Sequence, residues 1–190
     1  MIADKIYSCA TANQRHVLDQ VRMQAKRLDT RVCLVGGAVR DGLMGQPLGD
    51  LDFVVEDDAI HFAQALKVEF GDSLTTHEKF RTATLAWQDL SIDFTTARTE
   101  RYIRPAALPI ISPANVEQDL PRRDFSINAM AWCLNDGQLL DPFGGQNDLQ
   151  HRHIRALHAQ SFVDDPTRVL RAIRFEHRLG FTIEPRTAAL

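Results

Sequence analysis

The sequence predicts an α/β fold that passes into an all-α region, and three observations carry that prediction. Arg31 to Val35 (RVCLV) and Asp50 to Val55 (DLDFVV) are short apolar runs of strand character, separated by Gly36-Gly37 and a short helical stretch from Ala38 to Met44. Thr82 to Trp87 and Leu90 to Thr95 alternate around Gln88-Asp89, the pattern of a hairpin. Beyond Asp141 the pattern turns helical, above all from Phe162 to Leu179 before Gly180.

Taken in order, Asn13 to Leu28 has helical spacing, with Val17, Val21 and Leu28 on or near one face, and reads as a packing helix ahead of the first strand. Residues 58–70 read as a second packing helix, ended by Gly71. Arg98 to Val116 is rich in Pro and Ala and reads as a flexible loop. Arg123 to Trp132 reads as a helix, and Gln138 to Asp141 as a short strand. The order is α, then β–α–β–α–β–β, then mainly helices. An α/β head is expected over residues 1–141 and the start of an all-α region over 142–190. A further helix begins at Glu184-Pro185 with no stop signal after it, so the chain is expected to be a piece of a longer protein.

Composition narrows the field. A hydrophobic fraction of 44% and a charged fraction of 25% are those of a globular chain, and no apolar run has transmembrane length. No membrane partner is expected. Cys9, Cys33 and Cys133 lie far apart in no metal-like spacing, so no disulfide partner is expected and a reducing cytoplasm is the simplest compartment. The seven histidines form no ligand array. Net charge is −3, yet all 12 basic residues after Ala97 are arginine. Arginine offers a planar fork for phosphates and base edges. Drift in an Arg-rich genome would produce the same bias.

The densest chemical signal is Asp50-Leu51-Asp52, thirteen residues after Gly36-Gly37. Residues i and i+2 of a strand share a face, so the two carboxylates would stand roughly 6–7 Å apart. They repel unless a cation neutralises them, and Mg²⁺ suits a site shared with phosphates. The glycine pair lets a phosphate approach backbone N–H groups at a helix start. Either motif alone is common. In this order, with Arg40-Asp41 between them, they suggest phosphoryl or nucleotidyl transfer.

The string LVGGAVRDGLMGQPLGDLDFVV resembles the signature of the nucleotidyltransferase superfamily that includes DNA polymerase beta. More narrowly it resembles the bacterial-type tRNA nucleotidyltransferases (CCA-adding enzymes) and the related bacterial poly(A) polymerases. The resemblance implies a head with a mixed sheet flanked by helices, followed by an all-α neck. It implies a template-independent enzyme that adds C and/or A from CTP and ATP to the 3′ end of tRNA with two Mg²⁺ ions, releasing pyrophosphate. A poly(A), A-only or CC-only polymerase, or a non-catalytic nucleotide- or RNA-binding fragment, are the alternatives.

Residue by residue, Asp50 and Asp52 would hold the metals. Asp93, just before Thr95-Thr96-Ala97-Arg98, matches the family's third acid, where many members carry Glu. Gly36, Gly37 and Arg40 would border the phosphates. Arg122 to Met130 (RRDFSINAM) resembles the family's RRDFTINAMA segment. It implies that Arg123 meets the triphosphate or sugar and that Asp124 and Asn128 sit near the ribose. Asp164-Asp165-Pro166-Thr167-Arg168 resembles the nucleobase-selecting EDxxR motif, with Asp164 where Glu is usual. Asp165 can accept from the exocyclic amine of C or A while Arg168 donates to the neighbouring ring acceptor. Arg171 and Arg174 would face the triphosphate. On the residues alone, Val169, Leu170, Ala172 and Ile173 form the apolar arc of this helix and Arg168, Arg171, Arg174 and Arg178 the opposite one, which a solvated basic face also explains. Asp141-Pro142-Phe143-Gly144-Gly145, with Asp148-Leu149 and Ile154-Arg155, matches the segment joining head and neck.

Overall fold

A computed structural model describes residues 1–71 and 73–190. Two helices lead the chain, α1 (Ile2–Cys9) and α2 (Ala12–Arg27). The second starts on Thr11, whose hydroxyl accepts from Gln14 N while the Gln14 side chain accepts from Thr11 N. Such reciprocal capping satisfies two orphan donors. Val17, Leu18 and Val21 turn one face into the core.

The head is a seven-stranded mixed sheet. Its strands are β1 (Val32–Val35), β2 (Leu51–Val55), β3 (Leu74–His77), β4 (Thr82–Trp87), β5 (Leu90–Thr96), β8 (Ala131–Cys133) and β9 (Leu139–Leu140), in spatial order β3-β4-β5-β2-β1-β8-β9. Only β2 and β5 run parallel; the other pairs are antiparallel. Helix α3 (Gly37–Leu43) follows β1, and α4 (Ala59–Phe70) links β2 to β3. Asp58 caps α4 by accepting from Ile60 N and His61 N, and Gly71 ends it at φ +87°. Phe53, Phe62 and Phe94 pack together, with the Phe53 and Phe94 rings stacked 5.3 Å apart across β2 and β5.

Several expectations change here. Arg98 to Val116 is not a loop throughout, because β6 (Arg98–Arg101) and β7 (Ile110–Pro113) pair as a hairpin beside the sheet. It carries no apolar alternation, so period gave no warning. Arg123 to Trp132 is not a helix. Phe125 is extended, a single 3-10 turn covers Ser126–Asn128, and the chain then enters β8. A run apolar on every side suits a buried strand as well as a helix, and the free edge of β1 decides it. Phe162 to Leu179 is two helices, α7 (Ser161–Asp164) and α8 (Thr167–Leu179), after a first turn α5 (Val116–Asp119) and the connecting α6 (Gly145–His151). Pro166 disfavours helical backbone at the residue before it, and Asp165 is extended at φ −138°, ψ 94°. Asp50 lies one residue ahead of β2 rather than on it.

The pairing of β8 with β1 sets Cys133 opposite Cys33, and the two form a disulfide; Cys9 is the free cysteine. This corrects the expectation of no disulfide partner. The two positions are 100 residues apart in sequence, and only the strand pairing reveals their proximity. The bond also removes the cysteine argument for a reducing compartment.

The C-terminal segment joins the rest of the fold through its own apolar cluster. Phe125 and Ile127 of the 3-10 segment pack with Ile154, Ala172 and Phe181. Two short strands, β10 (His153–Ile154) and β11 (Thr182–Ile183), pair in parallel, and α9 (Pro185–Ala188) follows with Glu184 as its cap. Gly145 lies where α6 crosses the 3-10 turn. A Cβ there would meet the Ser126 carbonyl oxygen at 2.4 Å, so only glycine allows this approach. Against expectation, Val169, Leu170 and Ile173 of α8 are exposed, whereas Arg168 is only 4% exposed. Of the four arginines only Arg168 turns inward; Arg171, Arg174 and Arg178 are exposed, and Ala172 is the buried member of the apolar arc.

Candidate active site

The strand order builds the acidic half of the site. Asp52 on β2 is the register partner of Asp93 on β5 and of Val35 on β1, and Asp93 is the partner of Thr84 on β4. The Thr84 hydroxyl donates to Asp93 Oδ1 and holds that carboxylate. Gly36 follows Val35 at φ +67°, a conformation that favours glycine. A Cβ at Gly36 would lie 3.4 Å from a terminal guanidinium nitrogen of Arg123 and 4.0 Å from Asp52 Oδ2. The turn, the acid and the arginine therefore meet at one point. Asp50 stands exposed at the mouth.

Burial, then the charges of Asp93 and Asp50, push the Asp52 carboxyl up to about 6 from its ordinary 3.8, with Arg123 pulling the other way. A cluster of carboxylates under that strain fits a hard cation, which would relieve the repulsion. Asp50 and Asp52 are the side chains that could hold it. Among the described residues no group of three or more His, Cys, Asp or Glu side chains could hold a metal alone, so further ligands would come from elsewhere, such as phosphate oxygens.

Across from the acids lies an arginine wall. A cleft of about 590 Å³ is lined by Gly36, Gly37, Asp50 and Asp52 on one side and by Arg168, Arg171 and Arg174 of α8 on the other. Arg123, Asp124, Asn128, Arg40 and Asp165 line it too. Every expected site residue except Asp93 thus borders one cavity, and Asp93 adjoins it through Asp52.

The floor of the cleft is a chain of alternating charges. Arg40 is buried, donating to Asp41 at 2.8 Å and to Asn128 Oδ1 at 2.7 Å, with its guanidinium over the Phe175 ring. The Asn128 amide donates to Asp124 Oδ1 at 3.0 Å. The other Asp124 oxygen accepts from Arg171 at 2.6 and 2.8 Å. The Asp124–Asn128 contact expected of a helix exists, but the 3-10 turn makes it. Arg123 donates to Asp119 at 3.3 Å, while its buried Nε–H has no partner among the described residues. Burial pulls the Arg123 pKa below the ordinary arginine value, opposed by Asp119 and Asp52. Arg174 is exposed and has no ion-pair partner among the described residues.

Asp165 and Arg168 remain neighbours, at 3.8 Å, although Asp165 precedes the helix instead of lying on it. The sequence reading missed Asp119, Glu100 and Tyr102. Asp119, fully buried, accepts from Arg122, from Arg123 and from Arg98 N. Its place three and four residues before Arg122 and Arg123 was the available signal. Glu100 and Tyr102 line the cleft from the β6–β7 hairpin, with the Tyr102 hydroxyl donating to Glu100 at 3.0 Å. Burial, then Glu100, push Tyr102 up to about 12.

An A-adding tRNA nucleotidyltransferase of Halalkalibacterium halodurans is 45% identical over 193 residues, covering 100% of this chain and 45% of the relative. A solved structure of a CCA-adding enzyme in an apo form superposes with a TM-score of 0.90 at 41% identity, over 99% of this chain and 45% of that one. A tRNA nucleotidyltransferase complexed with a primer tRNA and an incoming ATP analog superposes at 0.78 with 42% identity, over 89% and 48%. The chain thus spans about half the length of the relatives it matches. The model of the Poly A polymerase head domain matches residues 32–155, from the first strand of the sheet to the arginine that closes the neck connection, and the chain belongs to that family.

Proposed function

We propose that this chain is the catalytic head and the beginning of the neck of a template-independent RNA nucleotidyltransferase that adds C and/or A to the 3′ end of tRNA. The 3′-oxygen of the RNA would attack the α-phosphorus of CTP or ATP. The bond from that phosphorus to the bridging oxygen breaks, and pyrophosphate leaves. The observation that carries the reading is a single cleft with Asp50 and Asp52 facing the arginines of α8.

Each residue then has a task. Asp50 and Asp52 would hold two Mg²⁺ ions, which when bound neutralise the triphosphate and make the attacking hydroxyl more acidic. Asp93 completes the acidic row and helps take up the hydroxyl proton. The N–H groups after Gly36 receive phosphate oxygens, as does Arg174, an exposed cation of the cleft with no ion-pair partner among the described residues. Arg123 turns its open Nε–H and its terminal nitrogens toward the sugar or triphosphate. Arg171 exchanges Asp124 for a phosphate when nucleotide enters. Asp165 and Arg168 read the base. Residues 1–141 serve as the head and 142–190 as the start of the neck. Transfer of radiolabelled CMP and AMP to tRNAs of defined 3′ end tests the reading. Loss of transfer in Asp52→Ala supports it, and normal transfer overturns it.

The relative named A-adding favours A-only addition as a second reading, which the same assay separates by its CTP arm. With about half the length of its relatives, the chain could also bind nucleotide without turnover. Binding with no incorporation would be that outcome. A cytoplasmic setting accompanies the tRNA substrate, and no helix among the described residues is long and apolar enough to cross a membrane.

A further inference from the structure

Arg168 can read a base edge only if its guanidinium plane is held still, because a fork that rotates offers its donors in no fixed direction. Two contacts hold it. One terminal nitrogen donates to Ser161 Oγ at 2.8 Å, and the other donates to the Arg122 carbonyl oxygen at 2.7 Å. Its Nε faces Asp165 Oδ2 at 3.8 Å.

Ser161 is placed for this contact and little else. It opens α7, a helix of four residues in which it alone is buried, with 0% exposure. The chain breaks at Asp165-Pro166 and returns as α8, which brings Arg168 back over the hydroxyl. A serine oxygen buried that completely is costly unless it is hydrogen-bonded, and Ser161 Oγ accepts from the Arg168 guanidinium.

We propose that Ser161 is a positioning residue for nucleobase discrimination: its hydroxyl anchors one end of the Arg168 fork while the Arg122 carbonyl anchors the other. The inference rests on the reading of Arg168 as a base-selecting residue. With both ends tied, the guanidinium cannot turn about its Cδ–Nε bond. Its remaining donors then keep one direction toward the ring acceptor of C or A, beside the Asp165 carboxylate. Removing the Ser161 oxygen frees one end, and the fork can tilt to accept U or G.

The test is equilibrium binding of ATP, CTP, GTP and UTP to the protein with Mg²⁺, comparing wild type, Ser161→Ala, Ser161→Cys and Arg168→Ala. Cysteine keeps the size of the side chain and replaces the hydroxyl by a weak acceptor, so it is read if the alanine variant does not fold. The ratio of the UTP to the CTP dissociation constant is expected to narrow about tenfold in both serine variants, the effect of one charge-assisted hydrogen bond. A merely structural serine would weaken all four nucleotides together and leave the ratio unchanged. A wild-type ratio in both serine variants, with a collapsed ratio in Arg168→Ala, overturns the role of Ser161 and leaves the base-reading role of Arg168 standing. A wild-type ratio in Arg168→Ala overturns the underlying reading as well.

Discussion

Asp52 is buried beside Asp93 and near Asp50, so the free protein is strained there, and that strain can be measured. Its carboxyl titrates about two units above the ordinary value, at about 6 against 3.8, because it is buried and then because Asp93 and Asp50 repel its charge. One unit is worth about 1.4 kcal/mol, so ionised Asp52 costs the free fold about 3 kcal/mol. The folded chain holds this proton through a range where the unfolded chain has lost it. The penalty is therefore absent below about pH 4, grows as pH rises toward 6, and is complete above it. Asp52→Asn keeps the shape and removes the charge. At about pH 7.5 without divalent cations it should raise the melting temperature by on the order of 5–10 °C for a chain of this size. Near pH 4 the two proteins should melt together. Added Mg²⁺ should raise the wild type and leave the variant nearly unmoved, since only the wild type offers both carboxylates. Equal melting of the two proteins at about pH 7.5, or a gain that persists near pH 4, would refute the like-charge account.

Three further perturbations follow from particular contacts. Gly145→Ala should cost about 1–3 kcal/mol, seen as a lower melting temperature, because its Cβ would press on the Ser126 carbonyl oxygen and backbone must give way. Arg174→Ala should weaken ATP binding about tenfold at low salt, less at high salt, with no change in thermal stability, since that side chain is exposed and has no ion-pair partner among the described residues. Thiol titration of the denatured, unreduced chain should find Cys9 alone, and all three cysteines after reduction. Three reactive thiols before reduction would dismiss the Cys33–Cys133 bond.

Local patterns were legible wherever neighbours in sequence are neighbours in space. The Gly36-Gly37 turn, α3, the strand carrying Asp52, the hairpin around Gln88-Asp89 and the helix ended by Gly71 all follow from period and turn chemistry. The candidate site was legible for the same reason. Its residues come in short ordered strings, and each string is a single turn or strand end. The failures are equally specific. Asn128 and Ala131 lie in a stretch whose apolar run suits helix or strand, and Pro166 breaks a helix that periodicity alone carries through.

The chemistry of each segment was therefore determined by the sequence alone: acids after a glycine turn, arginines at helical spacing, and a proline-led helix start. Tertiary structure decided how the segments meet. The edge of β1 captured Ala131 to Cys133 as a strand and so brought Cys133 to Cys33. The packing of Phe125, Ile127, Ala172 and Phe181 set the roll of α8, turning Arg168 inward and Leu170 out. An amphipathic pattern reports that a helix has two faces, and only the surface it lands on determines which of them is buried.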